Sequence, residues 1–184
     1  MRVSLPRRPV FLTGMMGSGK STLAPRLAAA WSAPWLDLDR RIERLFGATI
    51  PELFAAGEPE FRRREAAALR SLVAEPGVSA RTLVVACGGG VVIDPSLRAL
   101  MAAVGVTVYL RVDVDTLVAR LRAGARGDRP LLAVDDDALR RRLADLLDAR
   151  ASAYASAEVV VDGGGSPQDV LGRVLSEVDR GEAP

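Results

Sequence analysis

Histidine and asparagine are absent from the 184 residues, and cysteine and lysine occur once each, as Cys87 and Lys20. Without histidine there is no Ser-His-Asp or Cys-His machinery, no HExxH zinc site and no histidine phosphotransfer. Any acid-base chemistry must use carboxylates, lysine, tyrosine or the one thiol. A lone cysteine cannot form an internal disulfide, and there is neither an apolar run of about 18 residues nor a basic-apolar-cleavable leader layout. The expectation is a soluble, cytoplasmic protein with no membrane contact. Aromatics make up 4% of the chain and the net charge is +2. This argues against a stacking platform or polybasic patch for nucleic acid and in favour of small-molecule partners. Of the 25 basic residues, 24 are arginine.

What is present suits one globular domain over 1–184. The chain is 49% apolar, and a domain of this size buries roughly two-thirds of its unfolded surface. Val10 to Thr13 reads as a strand, Gly14 to Thr22 as a glycine loop and Leu23 to Trp31 as a helix. Pro34 to Asp39 alternates apolar and acidic residues like an extended segment, with Asp39 positioned to cap a helix through Phe46. Helices are expected over Pro51–Ala56, Pro59–Val73, Pro95–Val104, Val114–Arg122, Asp136–Ala153 and Pro167–Val178. Strands are expected over Thr82–Ala86, Thr107–Leu110 and Glu158–Val161. Strands and helices alternating at this length imply an α/β fold, a parallel sheet covered on both faces.

Gly14-x-x-x-x-Gly19-Lys20-Ser21 fits the P-loop pattern, in which backbone N–H groups wrap phosphates, the lysine reaches the β/γ oxygens and the hydroxyl faces Mg²⁺. Arginine's planar fork cannot replace a compact ammonium threaded along such a loop. A guanine-reading Asn-Lys-x-Asp motif is impossible in a chain without asparagine, and Thr82–Ala86 runs into Cys87-Gly88-Gly89-Gly90 where a motor ATPase carries an acidic pair. A small-molecule kinase survives.

Other residues gather round that reading. In an extended Leu36-Asp37-Leu38-Asp39 segment both carboxylates would lie side by side, suited to metal and hydroxyl. Glu58, Arg62 and Glu65 share a helix face, so a carboxylate can brace Arg62 toward an anion; the alternative is a solvated salt-bridge ladder. Gly88 to Gly90 would let a ligand approach the backbone at the C-terminal end of a strand. Gly163 to Gly165 reads as an ordinary turn. Arg122, Arg126 and Arg129 sit in or beside a Gly-, Arg- and Pro-rich stretch over about 123–135 with the composition of a lid; the alternative is a solvated basic loop.

Together these pieces resemble shikimate kinases of the nucleoside-monophosphate-kinase-like P-loop group. The resemblance is carried by GMMGSGKST at Gly14–Thr22, DLD at Asp37–Asp39, IPELFAAGEPEFRRRE at Ile50–Glu65, ACGGGVV at Ala86–Val92, RPLL at Arg129–Leu132 and RASAY at Arg150–Tyr154. It implies a three-layer α-β-α fold with a five-stranded parallel sheet ordered 2-3-1-4-5, a substrate-binding region over about 39–66, a lid and a monomeric state. It implies transfer of the ATP γ-phosphate to the 3-hydroxyl of shikimate with Mg²⁺. Gly17, Ser18, Gly19, Lys20, Ser21 and Thr22 would surround the phosphates, Ser21 would ligate the metal, and Asp37 would help through water. Asp39 would contact the ring hydroxyls as the base. Arg62 and Arg150 would hold the carboxylate, Glu65 would orient Arg62, and Gly88, Gly89 and Gly90 would complete the substrate loop. Arg122 would pack on adenine and Arg129 would be the lid arginine. One departure is that Gly165 and Ser166 stand before Pro167, where some members place a basic residue near adenine. A kinase for another polyol acid such as gluconate, or a kinase-like binding module without turnover, are the competing readings.

Overall fold

The structure, a computed structural model, describes residues 6–124 and 135–181. Five strands, β1 (Val10–Thr13), β2 (Trp35–Asp37), β3 (Val84–Ala86), β4 (Val106–Arg111) and β5 (Val159–Asp162), form one sheet in the order β2-β3-β1-β4-β5. Every pairing is parallel. The expected sheet order is therefore the observed one.

The strands are short and almost continuously apolar, as sheets buried on both faces require. In β1, Phe11 packs into one core and its neighbours Val10 and Leu12 into the other, all three at 0% exposure. Helices α1 (Lys20–Ala30) and α8 (Pro167–Gly181) close the second core with Leu23, Leu27, Val170, Val174 and Val178, joined by Trp31 just after α1. The first core is closed by α2 (Leu38–Phe46), α3 (Ile50–Ala55), α4 (Glu58–Val73), α5 (Pro95–Val104), α6 (Val114–Ala123) and α7 (Asp136–Ala155). Each fully buried Leu, Val or Phe contributes about 1.5–3 kcal/mol of transfer free energy, enough to hold the sheet without cross-links.

One expectation is corrected. The extended segment ends at Asp37, and α2 begins at Leu38. Asp37, not Asp39, is the cap: its Oδ1 accepts from the N–H groups of Asp39 (3.0 Å) and Arg40 (3.3 Å). Satisfying those orphan donors stabilises the helix start more than continuing the strand alternation would. Asp39 consequently sits in the first helical turn rather than beside Asp37 on a strand face. Only the ends of the expected lid are described, so Arg126 and Arg129 lie outside the described residues.

Candidate active site

The site lies at the C-terminal ends of β1, β2 and β3, where open parallel sheets place their ligands. From β1 the chain turns through Gly14–Gly19 into α1, and Lys20 folds back over that turn. Its ammonium donates to the carbonyls of Gly14 (2.7 Å) and Met15 (2.9 Å) and to Ser18 Oγ (3.2 Å). Burial pulls the Lys20 pKa down to about 8, against the opposing pull of Asp39. The cation is thus poorly solvated and held ready for stronger anionic partners. Beside it, Ser21 Oγ donates to Asp37 Oδ2 at 2.7 Å.

That oxygen pair suits a hard divalent cation such as Mg²⁺, which keeps most of its waters and takes one or two protein oxygens plus phosphate. Among the described residues no group of three or more acidic or cysteine side chains converges into a protein metal cage. The donor set therefore fits a metal carried in largely by a polyphosphate.

The second half of the site is built on α2, α4 and the glycine loop after β3. Arg62 donates from Nη1 to Glu65 Oε2 (2.7 Å) and from Nη2 to Glu58 Oε1 (3.0 Å), while its guanidinium packs over Phe54 and Phe61. Glu65 is 1% exposed, so the bracing carboxylate is buried rather than part of a solvated ladder. Burial pushes its pKa up, despite the Arg62 charge, and Asp39 adds to the rise. Its other oxygen, Oε1, is buried without a hydrogen-bond partner among the described residues. Burial also raises the Asp39 pKa, with Asp37 adding to it and Lys20 opposing. Asp39 is therefore a stronger base than an exposed aspartate, which suits proton acceptance.

The glycines make room for these groups. A Cβ at Gly88 would lie 2.7 Å from Glu65 Oε1 and 3.0 Å from Asp39 Oδ1, and one at Gly90 would run into the Arg62 guanidinium. Close approach, not backbone conformation, excludes larger residues here. Gly89 lies against the Gly14 and Met16 backbone, which joins the two halves of the site. Its carbonyl accepts from Arg150 Nη1 (3.3 Å) and from the Tyr154 hydroxyl (2.6 Å).

Tyr154 is a residue that the sequence alone left without a role. It is buried, stacks on Tyr109 with ring centroids 4.7 Å apart, and follows Arg150 by one helical turn. That i, i+4 spacing was the available signal. Tyr154→Phe keeps the stack and loses the bond to Gly89. We expect steady-state kinetics to show KM for the acceptor rising about 3–10-fold with kcat nearly unchanged.

The remaining expected residues fall as follows. The structure brings Gly17, Ser18, Gly19, Lys20, Ser21 and Thr22 together with Asp37, Asp39, Arg62, Glu65, Gly88, Gly89, Gly90 and Arg150. Arg122, at the end of α6, pairs through Nε with Asp136 of α7 at 2.7 Å. Cys87 is buried and its thiol is pushed upward by burial, so it is no nucleophile.

Comparison with known proteins points to one family. The shikimate kinase family model matches residues 16–179. The shikimate kinase of Novosphingobium aromaticivorans is 39% identical over 175 residues, covering 94% of this chain and 88% of that protein. The crystal structure of Acinetobacter baumannii shikimate kinase in complex with shikimate superposes with a TM-score of 0.84 at 32% identity, covering 99% of this chain and 97% of that one. A gluconokinase from Sinorhizobium meliloti, with a TM-score of 0.63 at 19% identity and coverage of 96% and 94%, shares the fold. A P-loop joined through a glycine loop to a braced arginine, on this sheet and with these relatives, means that the chain belongs to the shikimate kinase family.

Proposed function

We propose that this chain transfers the γ-phosphoryl group of ATP to the 3-hydroxyl of shikimate, with the residues above in the following roles. The observation that carries the reading is the Gly89 contact, which sets an anion-binding arginine pair and a buried carboxylate against the phosphate loop. The N–H groups of Gly17 to Thr22 and the Lys20 ammonium receive the phosphates. Lys20 exchanges its bonds to the Gly14 and Met15 carbonyls for bonds to phosphoryl oxygens. Ser21 and Asp37 would hold Mg²⁺, which when bound would supply positive charge against the phosphate oxygens.

Arg62, held by Glu58 and Glu65, and Arg150, held by Gly89, clamp the substrate carboxylate. Asp39 then lies by the ring hydroxyls. As the 3-hydroxyl oxygen forms its bond to the γ-phosphorus, the bond to the bridging oxygen of ADP breaks and the hydroxyl proton passes to Asp39. Positioning and charge neutralisation provide most of the acceleration in such transfers. Arg129, outside the described residues, would by resemblance be the lid arginine on the phosphates. A single domain over 1–184 acting as a monomer in the cytoplasm completes the reading. No described helix is long and apolar enough to cross a membrane.

The test is ADP release from ATP and Mg²⁺ with shikimate, with gluconate or with no acceptor. Release that requires shikimate supports the reading. Equal release with gluconate, or ATP binding with no acceptor dependence, overturns it.

The arginine clamp has its own expected result. Lysine at position 62 offers one ammonium and cannot bond two carboxylate oxygens while also engaging Glu58 and Glu65. Arg62→Lys is expected to raise KM for shikimate at least about tenfold with a smaller change in KM for ATP. An unchanged shikimate KM would remove Arg62 from the clamp.

A further inference from the structure

The two sides of the glycine loop after β3 are bonded unequally. Its three carbonyls are all engaged: Gly88 O accepts from the Val91 N–H (3.2 Å), Gly90 O from the Ile93 N–H (3.0 Å), and Gly89 O from Arg150 and Tyr154. The N–H groups of Gly88, Gly89 and Gly90 have no partner among the described residues. In a planar trans peptide the C=O and the N–H point in opposite directions, so fixing the carbonyls also fixes where the open N–H groups point. Two of the three carbonyls are held from Val91–Ile93, a single 3-10 turn that follows the loop. So short a turn leaves its last carbonyls without partners of its own.

Arg98, near the start of α5 and half-buried, supplies those partners. Its Nη1 donates to Val92 O and, at 3.2 Å, to Ile93 O. The same end of α5 is tied to α4. Arg70 Nη2 donates to Ser96 Oγ at 2.7 Å, and the Ser96 N–H in turn bonds to the capping Asp94 Oδ1 at 2.8 Å. α4 carries Arg62 and Glu65, and these lie directly against the loop: a Cβ at Gly90 would run into the Arg62 guanidinium and one at Gly88 into Glu65 Oε1. The start of α5 therefore braces both walls of the acceptor side, the arginine helix and the glycine loop. None of Arg70, Ser96 and Arg98 is among the residues assigned to the acceptor itself.

We infer that Arg98 is a positioning residue for the acceptor: by holding the Val91–Ile93 turn against α5 it keeps the open N–H groups of Gly88–Gly90 aimed and Gly90 seated on Arg62 before the acceptor arrives. The inference rests on the proposed seating of the acceptor between Arg62, Asp39 and the glycine loop. A run of three glycines has many backbone states, and each one excluded in advance lowers the ordering cost of binding. The phosphate loop makes no bond to Arg98, so the effect belongs to one substrate only.

The experiment is steady-state kinetics, with melting temperatures, on Arg98→Met, which keeps the apolar stem and removes the donors, and on Arg98→Lys. Arg98→Met is expected to raise KM for shikimate about 5–10-fold while KM for ATP changes less than about twofold. Both bonds to the turn leave one nitrogen, so an ammonium in its place can make them, and Arg98→Lys is expected to recover most of the loss. Arg98→Gln, polar but shorter, carries the test if the methionine variant does not fold, with the same selective rise expected. Equal rises in both KM values, an unchanged KM for shikimate in a folded methionine or glutamine variant, or a lysine variant no better than these would overturn the inference. Arg62→Lys separates it from the reading beneath it. If that variant leaves KM for shikimate unchanged, the seating of the acceptor fails and the inference with it. If it raises that KM while Arg98→Met and Arg98→Gln do not, only the inference fails.

Discussion

Lys20→Ala is expected to lower kcat/KM by about 10³-fold or more. Removing one preorganised donor to a developing oxyanion costs about 10²–10³-fold, and a full charge on a transferring phosphoryl group costs more. The 24 arginines of the chain offer no substitute within the loop. Lys20→Arg is accordingly expected to be nearly as inactive, because a forked guanidinium does not fit where the Gly14 and Met15 carbonyls now hold a single nitrogen.

The same residue carries a pH signature. With its pKa pulled down to about 8 by burial, Lys20 at pH 8 is about half protonated in the free protein, and phosphate beside it restores the charged form. ADP added without divalent metal at pH 8 should then draw in about half a proton per site. Calorimetry in buffers of different ionisation enthalpy measures this uptake, and Lys20→Ala should abolish it. Proton release, or uptake that survives the substitution, would contradict the assignment.

Asp39→Asn separates a base from a binding contact. The amide can still bond to ring hydroxyls but cannot accept the 3-hydroxyl proton, so kcat is expected to fall about 10²–10⁴-fold with a smaller change in KM for shikimate. The stability change should have the opposite sense. Burial and Asp37 raise the Asp39 pKa, so between its ordinary value and the raised one the native state binds more protons than the unfolded chain. Stability therefore declines as pH rises through that window, and at neutral pH the ionised carboxylate is a cost. Asp39→Asn removes that charge, and its melting temperature at pH 7 is expected to rise. The acid limb of kcat/KM, set above the ordinary aspartate range by the same burial, should vanish in the variant. A variant with near-normal turnover would exclude Asp39 as the base. One that lost turnover and melted lower would point to a structural role.

Several of these groups were legible in the residues before any coordinates. The P-loop is a local motif: its glycines, lysine and hydroxyl are consecutive, and strand-loop-helix context surrounds them. Element positions and a parallel sheet followed from apolar strands alternating with helices, the sheet order came with the family resemblance, and α5 runs Pro95–Val104 as expected. The Glu58, Arg62, Glu65 face was also visible, because helical periodicity is itself a local rule. The Asp37–Asp39 segment was misread for the same reason. Alternation predicted a longer strand, and the competing event, a carboxylate capping the next helix, depends on where the following chain turns.

The contacts that assemble the site were not legible, since they join residues far apart in sequence. Arg150 and Tyr154 reach Gly89 across 61 and 65 positions, and Arg120 reaches Ser18 across 102. Whether Glu65 braces Arg62 as a buried carboxylate or as one rung of a surface ladder depended on burial, which α4 acquires only by packing against its neighbours. The triple glycine at Gly163 looked like an ordinary turn because glycine permits many conformations, and its carbonyls are held by Arg173 on the next helix and by Arg120, 43 to 45 positions away. The sequence by itself determined most of the elements, their strand–helix alternation and the phosphate loop, because propensity and periodicity act over a few residues. Tertiary packing alone decided which carboxylates lose their water, which carbonyls are held and where the two halves of the site meet, because desolvation and hydrogen-bond geometry act through space.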